Sequence, residues 1–111
     1  MDNLAQKKCI PCEGGTRPLE KDTVKKLLGQ IPEWKPSDDY TRISRLFSFP
    51  TFMDAIAFVT NIATIAEKEN HHPDMKISYR KVTVTLTTHA LHGLSENDFI
   101  MAAKIDKLIS T

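Results

Sequence analysis

The sequence predicts a single α+β domain in which an antiparallel sheet of about four strands carries helices on one face, in the order α-β-β-α-β-β-α. Apolar residues recur at helical spacing in three segments, which predicts three helices. Between these segments lie two regions in which apolar and polar residues alternate, a period typical of strands with one buried face. The sequence contains no βαβ repeats, so an antiparallel layer is favoured over a parallel sheet.

We predict an irregular N-terminal arm over residues 1–18 and one folded domain over residues 19–111. In the arm, Cys9 and Cys12 are spaced C-x-x-C among prolines and glycines. A zinc site would need two further ligands, and none follows at the usual spacing. A thioredoxin-like site would need a strand before the cysteines and a helix after them. We therefore interpret the pair as structural or incidental, with metal binding and redox chemistry as the alternatives.

The first half of the domain begins with a helix, predicted from about Glu20 to Gln30 and ended by Pro32. Trp34 begins an extended region that a turn-rich cluster at residues 36–39 interrupts. From Tyr40 to Phe49 the period changes to two, which predicts a strand with one largely apolar face. The apolar positions that define the helix are Val24, Leu27, Leu28 and Ile31.

A central helix is predicted from about Phe52 to Asn70, with Thr51 as its N-cap and Asp54 completing a capping box. Its apolar residues form two neighbouring stripes that together exceed the usual apolar face of about 100°. One sheet cannot easily bury both stripes, so we expect a second subunit to cover this helix. Burial inside the monomer is the weaker alternative, because the chain has few other elements to surround it. The stripes are Phe52, Ile56, Val59, Ala63 and Ala66, and beside them Ala55, Phe58, Ile62 and Ile65.

The clearest strand region runs from Ile77 to Thr88, and its alternation changes phase at Arg80-Lys81. The phase change indicates either a bulge or two strands joined by a tight bend. The last helix is predicted to begin at Ser95, with Asp98 in a capping box. Its apolar face consists of Met101, Ala102, Ile105, Leu108 and Ile109.

The charge distribution argues against direct nucleic-acid binding, because the net charge is only +1 and no basic stripe or tail is present. No apolar stretch approaches the length of a membrane span, and the N-terminus has no pattern of a signal peptide. We therefore expect a cytoplasmic protein that has no membrane contact, with the nucleus or an organelle as alternatives.

Three of the four histidines lie at the ends of predicted elements, which favours proton transfer over covalent catalysis. His71 and His72 follow the central helix, whose C-terminal end favours a cation. Glu67 lies one turn before His71 and could orient its ring or share its proton. Pro73 restricts the backbone of His72, so the two rings should point in different directions. The alternative is that both histidines form a solvated helix end.

The third histidine, His89, follows a core strand directly. Asp98 is predicted to face the sheet, where its carboxylate could fix the tautomer of His89. Alternatively, Asp98 only caps its own helix, and the two roles can coexist. His92 receives no role, and we regard a metal site made of the three other histidines as unfavourable, because their side chains would converge poorly.

The motifs around these residues resemble those of the pterin-4a-carbinolamine dehydratases, over roughly Trp34 to Ile109. This resemblance implies dehydration of a 4a-hydroxytetrahydropterin to the quinonoid dihydropterin, which recycles the cofactor of aromatic amino acid hydroxylases. It also implies that neither a metal nor an organic cofactor is used, and that the chain forms a homodimer or homotetramer. The motifs are Glu67-x-x-x-His71-His72-Pro73-Asp74, Val82-x-Val84-x-Leu86-x-Thr88-His89 and Gly93-Leu94-Ser95-x-x-Asp98.

The resemblance also implies roles for individual residues. His71 and His89 would be the acid/base pair, and which of them is the acid stays open. His72 would hold and polarise the pterin ring, Asp98 would orient His89, and Glu67 would assist His71. Where many family members have a tryptophan beside the pterin, this sequence has Met75. The alternative to an enzyme is a non-catalytic dimerisation or transcriptional coactivator module that uses the helical surface.

Overall fold

A computed structural model describes residues 4–10 and 17–109. Its fold is the predicted α+β class, and its helices and strands follow the predicted order. Short 3₁₀ turns occur at Leu4–Gln6 and His89–Leu91. The main elements are α1 (Lys21–Leu28), β1 (Lys35–Pro36), β2 (Ile43–Ser48), α2 (Phe52–Glu69), β3 (Asp74–Ser78), β4 (Lys81–Leu86) and α3 (Glu96–Lys107).

The four strands form one antiparallel sheet in the spatial order β1-β2-β4-β3. Val82 pairs with Phe47 of β2 on one side and with Ile77 of β3 on the other. Paired residues lie on the same face of the sheet, so Ile77 and Val82 share a face although one has an odd number and the other an even number. The phase change is therefore a tight bend between two strands and not a bulge. Tyr79, with a φ of 54°, occupies this bend and is 69% exposed, while Ser78 and Lys81 pair on either side. β3 begins at Asp74, earlier than predicted.

The central helix α2 has the predicted N-cap, since the Thr51 side chain accepts a hydrogen bond from the backbone N–H of Asp54 at 3.0 Å. One stripe of the helix packs on its own sheet, where Phe58 is 4% exposed and its ring lies 4.7 Å from that of Phe47. The expectation that another subunit covers both stripes is therefore wrong for this one. The beginning of the other stripe faces outward, where Phe52 is 45% exposed and the adjacent Met53 is 70% exposed, whereas Ala66 at its end is buried.

Asn70 ends α2 in the left-handed conformation, with a φ of 53°, and its backbone N–H donates to the carbonyl of Ala66. Asparagine is one of the few residues that adopts this conformation readily at a helix end. The chain turns sharply here, so His71 and His72 lie beyond the helix and lead into β3. This change of direction determines which side chains the two histidines contact.

The core extends to the end of α3, where Trp34 is 2% exposed and is a core residue. Its Nε1–H donates to Asp106 Oδ1 at 2.9 Å, and Arg45 Nη1 donates to the same oxygen at 2.8 Å. Burial raises the pKa of the Asp106 carboxyl, although both of these donors act in the opposite direction. Within residues 4–10 and 17–109, no helix is long and apolar enough to cross a membrane.

Candidate active site

A buried carboxylate at the start of α3 orients His71. Asp98 Oδ1 lies 2.7 Å from His71 Nε2, and the Asp98 side chain is fully buried while that of His71 is 13% exposed. A carboxylate only accepts hydrogen bonds, so Nε2 is the donor and carries the hydrogen. In the neutral ring, Nδ1 is then free of hydrogen and available as an acceptor.

The second oxygen of Asp98 caps α3. Asp98 Oδ2 accepts the backbone N–H of Ser95 at 3.0 Å and the hydroxyl of Thr88 at 2.8 Å. Ser95 and Asp98 thus form the predicted capping box, and the carboxylate caps its helix while it orients a histidine. That histidine is His71, so the prediction that Asp98 orients His89 is wrong about the partner. The turn at Asn70 directs His71 towards the start of α3. Both carboxylate oxygens of Asp98 accept hydrogen bonds from donors other than His89.

Glu67 contacts His72, with Glu67 Oε2 lying 2.5 Å from His72 Nε2. The expected pairing of Glu67 with His71 is therefore wrong, because helical spacing no longer applies once Asn70 has left the helix. The two histidine rings have different partners, Asp98 for His71 and Glu67 for His72. The side chains of His72 and Glu67 are 55% and 78% exposed, so this contact contributes little to stability.

His89 begins a short turn at the end of β4. The backbone N–H of Thr88 donates to the carbonyl of Gly93 at 2.9 Å, which closes this turn. His92, in the left-handed conformation, is exposed. Gly93 is required here by close packing, because an added Cβ would lie 2.7 Å from Pro18 Cβ. The His89 side chain is exposed.

A cleft of about 440 Å³ opens beside the His71–Asp98 pair. His71, His72 and His89 all line it, so the structure brings together the three histidines singled out from the sequence. Asp98 lies behind this surface, fully buried. Met75 is half-buried against the hydrophobic core and does not line the cleft.

The N-terminal arm supplies two residues that the sequence analysis did not place in the site. Cys9 and Ile10 line the same cleft. Burial raises the pKa of the Cys9 thiol to about 12, and the nearby Glu69 carboxylate acts in the same direction. Cys12 lies outside the described residues, so the metal and redox alternatives for this pair stay predictions. No group of three or more His, Cys, Asp or Glu side chains within residues 4–10 and 17–109 could hold a metal ion.

Comparison with known proteins agrees with this arrangement. Residues 17–108 match the family model described as pterin 4 alpha carbinolamine dehydratase. Relatives from Alkaliphilus metalliredigens and Nitrosomonas eutropha, both named provisionally as pterin-4-alpha-carbinolamine dehydratases, are 50% and 49% identical over 108 residues. Each alignment covers 96% of this chain, and it covers 96% and 94% of the respective relative.

A solved structure has the same fold. The crystal structure of a transcriptional coactivator/pterin dehydratase from Brucella melitensis superposes with a TM-score of 0.79 at 34% identity. The match covers 83% of this chain and 98% of the Brucella chain. The chain belongs to the pterin-4a-carbinolamine dehydratase family. It is a hydro-lyase, an enzyme that removes water from a pterin carbinolamine.

Proposed function

We propose that this protein converts 4a-hydroxytetrahydropterin to quinonoid dihydropterin and water by histidine acid/base catalysis. In this reaction the bond between C4a and the hydroxyl oxygen breaks, and the oxygen leaves as water after accepting a proton. A proton leaves the adjacent ring nitrogen, and its electron pair forms the new double bond to C4a. The reaction therefore needs one acid and one base on the same substrate.

The observation that carries this proposal is the buried Asp98–His71 hydrogen bond beside a cleft that His89 also lines. His71 would transfer a proton through Nδ1, because Asp98 holds its Nε2. His89 would be the second proton-transfer group, and its exposed ring can exchange protons with water. His72, held by Glu67, would bind and polarise the pterin ring. The order of acid and base between His71 and His89 stays open.

The proposal is tested by measuring dehydration of a 4a-hydroxytetrahydropterin with purified protein. His71→Ala and His89→Ala should each lower kcat by about 10²-fold to 10⁴-fold, the usual contribution of a general acid or base. His72→Ala should mainly raise KM. His92→Asn is the matched control, because asparagine tolerates the left-handed backbone of His92 and no catalytic role is assigned there. Wild-type rates in both His71→Ala and His89→Ala would refute the acid/base assignment.

The outer stripe of α2 supports a second proposal, that the chain forms a homodimer or homotetramer. Phe52 and Met53 are exposed, and Ile56 and Val59 beside them are only half-buried. An apolar helical surface of this kind is typical of an interface. The proposed product would be reduced again for use by aromatic amino acid hydroxylases, which is the pathway link that the family resemblance implies.

The competing candidate is a binding module that uses the same helical surface without catalysis, and the Brucella relative is named as a coactivator as well as a dehydratase. The two functions depend on different residues. Met53→Asp, at a position that is 70% exposed, should impair a helical interaction, whereas His89→Ala should impair turnover alone. A protein in which histidine variants have no effect on any activity would favour the binding module.

A further inference from the structure

The N-terminal segment 4–10 packs across α3 and ends at the histidine cleft. Leu4 anchors its beginning, since its side chain is 3% exposed and belongs to the hydrophobic core. Lys104 Nζ donates to the carbonyl of Ala5 at 2.8 Å. Cys9 and Ile10, at the other end, form part of the cleft surface. The segment is therefore held at both ends.

The end at the cleft is held through its backbone by two side chains with little exposure. Asn97, 4% exposed, accepts the backbone N–H of Ile10 at 3.0 Å, and its Nδ2 donates to the carbonyl of Ile10 at 2.5 Å. Glu69 Oε1 accepts the backbone N–H of Cys9 at 2.8 Å, and the Glu69 side chain is 6% exposed. Because these bonds use only backbone groups, the side chain of Ile10 stays exposed, at 70%.

The two anchoring residues lie next to the candidate proton-transfer machinery. Asn97 directly precedes Asp98 in α3, and Glu69 is the last residue of α2, two positions before His71. The segment is thus attached to the two helix ends that hold the His71–Asp98 pair together. Its position relative to His71 is held by hydrogen bonds to Asn97 and Glu69, among them one from the Cys9 thiol to the Asn97 carbonyl at 3.7 Å.

We propose that segment 4–10 is a substrate-contacting wall of the active site and that Ile10 is a specificity-determining residue. Asn97 and Glu69 are the positioning residues that hold it. Ile10 packs against the side chain carried by the pyrazine ring of the pterin. The pyrimidine end of a pterin carries amide and amino groups that need hydrogen bonds, so an isoleucine suits only the pyrazine side of the substrate. This inference rests on the proposed function, because it assumes that a pterin occupies the cleft.

The decisive variant is Ile10→Ala, because truncating a side chain that is 70% exposed removes little packing from the fold. KM and kcat are measured for two 4a-hydroxytetrahydropterins that differ only in the length of the side chain on the pyrazine ring. KM for the longer substrate should rise about 10-fold, the lower end of what a methylene contact is worth in an apolar pocket. The change for the shorter substrate should be smaller, and kcat should stay within about twofold, since the lost contact is made equally in the ground state and the transition state.

Ile109→Ala is the matched control, because Ile109 is 39% exposed and does not line the cleft. An unchanged KM for both substrates in Ile10→Ala, or an equal change in Ile109→Ala, would overturn the specificity role. Asn97→Ala tests the positioning role. It removes both hydrogen bonds to Ile10 and should raise KM for the longer substrate. A lower Tm with an unchanged KM would mean that Asn97 serves folding alone.

A binding measurement separates failure of this inference from failure of the proposed function. If the wild-type protein turns over and Ile10→Ala is unaltered, only the present inference fails. If the wild-type protein dehydrates neither substrate, the proposed function fails. Calorimetry with an unreactive 7,8-dihydropterin that carries the longer side chain then tests the contact of Ile10 with the pterin. In that titration, Ile10→Ala should raise Kd about 10-fold, on the same contact argument, and an unchanged Kd would overturn the inference.

Discussion

Replacing Asp98 by asparagine separates the two tasks that its carboxylate combines. In Asp98→Asn the amide oxygen would still accept the Ser95 N–H and the Thr88 hydroxyl, which Asp98 Oδ2 accepts in the native chain. The amide nitrogen would then occupy the position of Oδ1, facing His71 Nε2 at about the native distance. Because an amide nitrogen only donates, Nε2 would have to lose its hydrogen and Nδ1 would have to carry it. The neutral ring would therefore have the wrong tautomer.

The expected loss of activity follows from that tautomer. A carboxylate-to-amide change behind a catalytic histidine lowers kcat by about 10⁴-fold in serine proteases, where the tautomer is reversed in the same way. We expect Asp98→Asn to lower kcat by about 10³-fold to 10⁴-fold. The cost in folding should be small by comparison, about 1.5–3 kcal/mol at most for one lost hydrogen bond to a charged group. Asp98→Ala should cost more, because it leaves the ring N–H of His71 and the backbone N–H of Ser95 unpaired at about 1–3 kcal/mol each.

The assay combines initial rates of dehydration with urea unfolding of the wild-type protein, Asp98→Asn and Asp98→Ala. Nitrogen NMR shifts of the His71 ring report directly which nitrogen carries the hydrogen. If Asp98→Asn retains the wild-type kcat, Asp98 is a helix cap and has no part in orienting a catalytic group. A hydrogen that remains on Nε2 in this variant would refute the tautomer argument even if activity falls.

Three further predictions concern the rest of the molecule. Light scattering should show an oligomer, and Met53→Asp should shift it towards monomer, because a desolvated carboxylate at an interface is costly. Asn61→Asp, at an exposed polar position of the same helix, should leave the oligomer unchanged. In a Cys12→Ser background, alkylation of Cys9 at about pH 8 should be at least about 100-fold slower than that of an ordinary thiol, because a pKa raised to about 12 leaves little thiolate. A normal rate would contradict the raised pKa. The raised pKa of Asp106 means that the folded state favours the protonated carboxyl more than the unfolded state does. The free energy of unfolding of the wild type, measured in urea relative to that of Asp106→Asn, should therefore decrease from acid to neutral pH. A rise instead would contradict this sign.

The fold could be predicted from the sequence because its signals are local. The period of two in β2 and β4, the helical spacing in α2 and the capping residues each depend on residues that are close in the chain. The phase change at Arg80-Lys81 reported the β3–β4 bend correctly, although it left a bulge as an alternative. The coverage of α2 was less predictable, since periodicity shows that a stripe is apolar and does not show which surface buries it.

The partners of the site residues were not predictable to the same degree. Spacing along a helix assigned Glu67 to His71, and this assignment failed because Asn70, with a φ of 53°, takes the chain out of the helix before the histidines. Pro73 marks the end of the helix, but it does not show in which direction a left-handed Asn70 turns the two histidines. The contact of Asn97 with Ile10 joins residues 87 positions apart, and no local pattern reports such a contact. The sequence thus singled out three histidines that line one cleft, and it could not assign their partners.

Thr88 links the two histidines that we propose as the acid/base pair. Its hydroxyl donates to Asp98 and also lies 2.7 Å from the Ser95 hydroxyl, so its side chain supports the carboxylate that orients His71. Its backbone N–H closes the turn that begins with His89, the next residue in the chain. Thr88 is 5% exposed, so water does not compete for these bonds. Thr88 therefore supports both parts of the site, His71 through its side chain and the turn that begins with His89 through its backbone. A site built in this way can hold a catalytic geometry even though His89 is itself exposed.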